Sequence, residues 1–259
     1  MRTPLLAAAL ALALAACGAE TAPETPPDAA GTDAADGPPR AAFPDTLRPG
    51  DLLLTGLPAF QHDYRLDMLE PQRLYVGVLE VRYAPDAAAG RAVYALTNAG
   101  GPSGIIQIDS VEARYPSLAP LRHVGTGGQR TAEYRYEAGG VRGTRTPVDG
   151  ETQALDVALG EPAFDGASLM LVATAMPLRE GYAPVVPVFL PEEGLVHYAF
   201  RVEALADEPG AWRVEAARPG GTTTTFEVLE RPRRVLRAEY VLPSGARVEL
   251  SPLRDRPAR

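Results

Sequence analysis

Leu195-Val196-His197-Tyr198-Ala199-Phe200-Arg201-Val202-Glu203-Ala204 alternates with a period of two. Val196, Tyr198, Phe200 and Val202 fall on one side, and His197, Arg201 and Glu203 on the other. Successive side chains of a strand point to opposite faces, so this spacing predicts a strand with one face on a core and one in water. Working outward, the pattern recurs. Trp212, Val214 and Ala216 oppose Arg213 and Glu215; Leu236, Ala238, Tyr240 and Leu242 oppose Arg237 and Glu239. Towards the N-terminus, Tyr64, Leu66 and Met68 oppose Asp63, Arg65 and Asp67, while Tyr134 and Tyr136 oppose Glu133, Arg135 and Glu137. Leu74–Val81 is apolar on both sides, which predicts a central strand. Between these runs stand glycine- and proline-rich breaks: Gly125-Thr126-Gly127-Gly128, Gly139-Gly140, Pro209-Gly210, Pro219-Gly220-Gly221 and Pro243-Ser244-Gly245. One-sided alternation with short breaks is the pattern of an antiparallel sheet.

One segment departs from it. After Asp165-Gly166-Ala167-Ser168, the residues Leu169, Val172, Ala173 and Met176 recur at helical spacing. Asp165 can cap the free amides, and Pro177 makes Met176 a natural stop. So apolar a helix needs a surface, and the concave side of the sheet is the expected one. The fold class is therefore mainly β: a strongly curved antiparallel sheet, a half-barrel, with one short helix in its hollow. Inward-facing Tyr198, Phe200, Trp212 and Phe226, with Met170 and Met176 of the helix, are the expected lining. They either fill the hollow as a core or leave a groove for an apolar ligand.

Composition narrows the chemistry. The chain has 259 residues, Lys+Arg 25 against Asp+Glu 33, and a net charge of −8. An acidic chain is a poor nucleic-acid partner. Every basic residue is arginine, which excludes a P-loop lysine, a Schiff-base lysine and a Ser-Lys dyad. Cys17 is the single cysteine, so no disulfide and no cysteine-based metal site is available.

Met1-Arg2 followed by the Leu- and Ala-rich run to Ala16 is the shape of a secretory signal, too short to remain as a membrane span. Leu14-Ala15-Ala16-Cys17 resembles the lipobox of bacterial lipoproteins. That resemblance implies cleavage after Ala16, lipidation of Cys17, and handling by the lipoprotein export and processing machinery. Gly18 after Cys17, in place of the aspartate of the sorting rule, implies the outer membrane, facing the periplasm. Residues 17–44, built of Ala, Pro, Asp, Glu, Thr and Gly, cannot bury enough surface to order themselves and read as a stiff, disordered linker. Residues 45–253 read as one β-rich domain and 254–259 as a disordered tail.

Several stretches of that domain resemble an exported bacterial domain of unknown function, the family numbered 3108. They are Tyr115-Pro116-Ser117-Leu118-Ala119-Pro120-Leu121-Arg122, Phe164–Leu169, Pro177–Tyr182, Thr224-Thr225-Phe226, Arg233–Arg237 and Gly245–Leu250. The resemblance implies a curved antiparallel sheet with a helix in its hollow, like the carriers of outer-membrane lipoproteins. It implies no catalytic residues.

The remaining candidates read as bland. None of His62, His123 and His197 sits in a His-x-x-x-His or His-Glu-x-x-His pair, so all three are expected to be solvated or incidental. Gly101-Pro102-Ser103-Gly104 is a hairpin turn rather than a nucleophile elbow. Ser168 supports a helix start. Glu192-Glu193 sits in a turn, and Asp63 and Asp67 lie on a wet face beside Arg65. Arg231, Arg233, Arg234 and Arg237 are expected to face glutamates on neighbouring strands. No metal or cofactor is expected. The expected function is non-enzymatic: a lipoprotein anchored to the outer membrane through Cys17 that binds an apolar ligand or an envelope protein. The alternative is a carboxylate-dependent hydrolase acting on cell-envelope polymers.

Overall fold

The computed structural model describes residues 45–69, 72–100, 106–127, 130–147, 150–218, 220–221, 223–241 and 245–253. The signal, Cys17, the linker, the Gly101–Gly104 turn and the 254–259 tail lie outside the described residues.

The alternating runs around Tyr64, Tyr134, Tyr198, Trp212 and Ala238 and the apolar run Leu74–Val81 all lie in strands, and further strands complete the sheet. In chain order the first are β1 (Phe60–Met68), β2 (Leu74–Asp86), β3 (Arg91–Gly100), β4 (Ile106–Arg114), β5 (Pro120–Gly127), β6 (Arg130–Glu137), β7 (Gly140–Thr146) and β8 (Gln153–Ala158). Then come β9 (Phe164–Asp165), a 3-10 turn Gly166–Ser168, and helix α1 (Leu169–Ala175). The chain closes with β10 (Val185–Leu190), β11 (Gly194–Ala204), β12 (Ala211–Ala217), β13 (Thr223–Leu229), β14 (Arg234–Val241) and β15 (Arg247–Pro252).

All belong to one sheet of 15 strands, in the order β8-β7-β6-β5-β4-β3-β2-β1-β15-β14-β13-β12-β11-β10-β9. Two antiparallel meanders, a first wing β1–β8 and a second wing β10–β15, join where β1 pairs with β15. Only β9 and β10 run parallel. The sheet is curved and is not closed into a barrel. Curvature nevertheless brings its two ends together: Tyr134 of β6 and Phe189 of β10 meet edge to face at 5.4 Å. This contact lies in a small end core of Ala132, Tyr134, Val141, Leu155, Ala163 and Phe189.

The main core fills the concave side. Helix α1 lies in it, packed against β13 and β14, with Met170, Leu171, Val172, Ala173 and Met176 at most 5% exposed. Its carbonyl end is closed by Arg233, which donates to Thr174 O at 2.9 Å and Met176 O at 2.7 Å. Before β1, a strap over residues 45–59 runs across the mouth of the hollow and buries Leu47, Leu52, Leu54 and Leu57.

Four local expectations need correction. The buried side of β14 steps from Val235 to Ala238, leaving Leu236 half-buried. A bulge against Glu227/Val228 inserts one residue there. Gly125 and Gly127 belong to β5 rather than to a break. Asp67 is 3% exposed, not wet, because Arg65 Nε at 2.9 Å and Arg73 Nε at 3.2 Å cover its carboxylate. Arg233 and Arg237 divide the expected role of their cluster: Arg237 pairs with Glu249, as expected, while Arg233 caps the helix.

Candidate functional site

A concentration of buried titratable groups lies where the sheet ends meet. β5 presents His123, 5% exposed; β4 presents Asp109, 7%; β9 presents Asp165, 1%. His123 Nδ1 stands 3.1 Å and 3.2 Å from the two Asp165 carboxylate oxygens. Its Nε2 is 3.4 Å from Asp109 Oδ1. Tyr136 donates to Asp165 Oδ2 at 2.8 Å and Tyr134 at 3.1 Å, while the Ala167 amide donates to Oδ1 at 2.9 Å. Tyr134 also stacks on the imidazole, with centroids 4.6 Å apart and ring planes 8° apart.

Local sequence explains the convergence. Tyr134 and Tyr136 are two apart on β6 and so share the inner face. His123 sits directly opposite Tyr134, and Asp109 directly opposite Gly125. A Cβ on Gly125 would lie 2.8 Å from Asp109 Oδ1 and 3.0 Å from His123 Nε2. Glycine there leaves the carboxylate and the imidazole room to approach. Asp165 is positioned by its place in the 3-10 turn, where Ser168 Oγ donates to its carbonyl at 2.7 Å.

The electrostatics follow from burial and partners. Burial alone would lower the His123 pKa, but the Asp165 carboxylate, helped by Asp109, reverses this and raises it. Burial likewise opposes the Asp165 charge, yet His123, Tyr136 and the Ala167 amide hold its pKa below the usual carboxylate range. Tyr134 and Tyr136 are pushed up, first by burial and then by Asp165. The result is an imidazolium between two carboxylates. Both ring nitrogens face carboxylates, and these contacts tie β4–β6 to β9 as a clasp. Beside it is a cavity of about 20 Å³, lined by Asp109, His123, Tyr134, Asp165 and Glu192 among others. That is space for roughly one water molecule.

The expected ligand lining is brought together elsewhere. Met170, Met176, Tyr198, Phe200 and Phe226 belong to the main core, and Trp212 packs against it half-buried. Their side chains fill the hollow. The histidines divide. His197 is exposed and bonded to Glu161 at 2.7 Å; His62 stacks on Phe60 at 5.0 Å; His123, expected to be incidental, is the centre of the buried clasp. Asp165 caps as expected and carries the ion pair besides. Among the described residues no group of three or more His, Cys, Asp and Glu could hold a metal ion, and no helix is long and apolar enough to cross a membrane.

No curated protein and no solved structure matches the chain. One family model does, over residues 64–241, a span that takes in the clasp and α1 and ends before β15. The chain belongs to that family, described as a protein of unknown function (DUF3108).

Proposed function

We propose that this chain is a non-enzymatic lipoprotein, anchored to the outer membrane through Cys17, that binds another envelope protein through the convex face of its first wing. The observation that carries the reading is a contrast between the two convex faces. On the second wing, Glu203, Arg213, Glu227 and Arg237 stand directly opposite one another across β11–β14, a row of alternating charge. Such a row neutralises itself. On the first wing the corresponding rows are uncharged across β3–β5. Thr97, Ile108 and Thr126 form one, and Ala95, Ser110 and Val124 the next; Glu80 and Arg82 of β2 and Glu133 of β6 border them. Ile108, in the middle of this patch, is 39% exposed.

In a chain this rich in Asp, Glu and Arg, an uncharged, pleated face two rows deep suits a partner whose own surface there is uncharged. The filled hollow favours this reading over an apolar ligand held along the whole lining. A photo-cross-linking residue at Ile108, with one at Arg213 as control, tests it in membranes. An adduct of one size at Ile108, absent at Arg213 and abolished by Thr97→Arg, is expected. Equal labelling at the two positions refutes the face. Cys17→Ala should move the protein from the membrane to the soluble fraction; unchanged membrane attachment refutes the anchor.

The convergence of Asp109, His123, Asp165 and Glu192 on one cavity favours a second reading, hydrolysis of envelope polymers. Its test is loss of hydrolysis of isolated envelope polymer in Asp109→Asn and Glu192→Gln. Wild-type protein inactive on that polymer removes it.

A further inference from the structure

The sheet has two ends, and they are finished differently. At the second-wing end the outer side of β10 is covered. Leu47 N donates to Val185 O and Val185 N to Asp45 O, both at 2.8 Å. Pro187 has no N–H to offer, and β9 pairs with Val188 and Phe189. β9 itself is only Phe164–Asp165, both buried. Cover of this kind stops an edge from recruiting another chain.

β8 ends the first wing without such cover. It keeps an unbroken register with β7 and contains no proline, no glycine and no bulge. Leu159 N donates to Gly139 O at 2.8 Å, and hydrogen-bonded pairs alternate along an antiparallel ladder. Val157, Leu155 and Gln153 therefore bond to β7, while Ala154, Asp156 and Ala158 turn their N–H and C=O groups away from it. All three are exposed. Among the described residues no strand pairs with that side and no main-chain bond reaches it. Leu155 faces the end core, and Asp156 faces solvent, 3.2 Å from Arg142 of β7.

Register and charge name the occupant. Outward-turned groups pair only with outward-turned groups, so two antiparallel β8 strands overlap best with a two-fold axis at Leu155 or at Asp156. An axis at Asp156 sets carboxylate against carboxylate, which is unfavourable. An axis at Leu155 sets Asp156 opposite Ala154 of the second copy, and Leu155 opposite its own counterpart. The row Arg135–Arg142–Asp156 then runs on into Ala154–Thr144–Glu133 of the second copy. A surplus of positive charge on one side meets a negative charge on the other, and the axis repeats the row in reverse. Because the β10 end is covered, edge pairing between copies closes at a dimer and does not propagate into a fibre.

We propose that β8 is a homodimerisation edge, pairing antiparallel with β8 of a second copy about a two-fold axis at Leu155, so that one sheet runs through both molecules. The contact is independent of docking on the β3–β5 face.

Sedimentation velocity on the mature chain with Cys17→Ser, over rising concentration, should show monomer passing to dimer and nothing larger. Ala154→Pro removes an outward N–H that β7 does not use. It should weaken association about tenfold or more, with an unchanged circular dichroism spectrum. A cysteine pair tests the same edge and its register should Ala154→Pro fail to fold. Mixed under mild oxidation, Ala154→Cys and Asp156→Cys proteins should link to each other about tenfold faster than either links to itself. Directly opposed residues of a hydrogen-bonded pair stand about 5.5 Å apart at Cα, within reach of a disulfide. A monomer at every concentration overturns the proposal, including one in which residues 17–44 protect the β8 amides from exchange. Wild-type dimerisation in Ala154→Pro overturns it, and so does self-linking of Asp156→Cys as fast as the mixed pair.

Discussion

Asp165→Asn tests the clasp most directly. The carboxylate accepts from His123, Tyr134, Tyr136 and the Ala167 amide. An asparagine keeps the shape but offers one accepting oxygen, and turns an N–H₂ towards groups that are themselves donors. It also leaves a buried imidazolium with only Asp109 beside it, at 3.4 Å. Removing one partner of a buried pair costs about 3–5 kcal/mol, because the other charge stays desolvated. For a domain of this size that is a fall in melting temperature of roughly 6–20 °C. Urea unfolding followed by the fluorescence of Trp212, the single tryptophan, measures it. The pH dependence supplies a second check. The His123 pKa is raised from 6.5 to about 10 on folding, so its contribution is complete below about pH 6.5 and is lost as pH rises through about 10. The Asp165 pKa is lowered, so its contribution is complete above the usual carboxylate range and is lost as pH falls through the folded value. The difference between wild type and variant should therefore be largest between about pH 4 and 6.5 and shrink on the alkaline side. A cost under about 1 kcal/mol at pH 6, or a difference that grows towards pH 10, would refute the ion pair.

Gly125→Ala places a methyl 2.8 Å from Asp109 Oδ1 and should cost about 1–3 kcal/mol as the clasp is pushed apart, read in the same urea titration. In Asp109→Ala the nearer obstruction is gone and His123 Nε2 at 3.0 Å remains, so part of that cost should disappear. Arg233→Ala leaves the carbonyls of Thr174 and Met176 without their cap. It should destabilise by about 1–3 kcal/mol and speed amide hydrogen exchange in 169–176 ahead of the strands; uniform exchange across the molecule would contradict a local cap.

Much of the fold was legible because most strands have one wet face, β9 and β10 being the buried exceptions. Tyr198, Phe200 and Val202 could be oriented from His197, Arg201 and Glu203 alone, and α1 from its apolar spacing between Asp165 and Pro177. What escaped was non-local. The bulge that turns Leu236 away from the core depends on its pairing with β13. Asp67 is buried by Arg73, which arrives from the next turn and not from its own strand. The clasp was invisible because its members come from β4, β5, β6 and β9, and no short motif holds more than two of them. The one local signal was Gly125-Thr126-Gly127 immediately after His123: glycines inside a strand mark a close approach, but they read equally well as a break. Asp165 carried a satisfactory explanation as a cap, which concealed its second role.

The pairing of β1 with β15 has a consequence for how the molecule is assembled. Every other strand pairing joins elements consecutive in the chain, so each meander can zip up locally as it is synthesised. The middle of the sheet waits for the last strand. Until Arg247–Pro252 arrives, β1 and β14 each present an unpaired edge, the kind of edge that recruits other chains. A polypeptide ending near residue 245 would keep nearly all of its local contacts and still be two open half-sheets, prone to join its neighbours instead of itself.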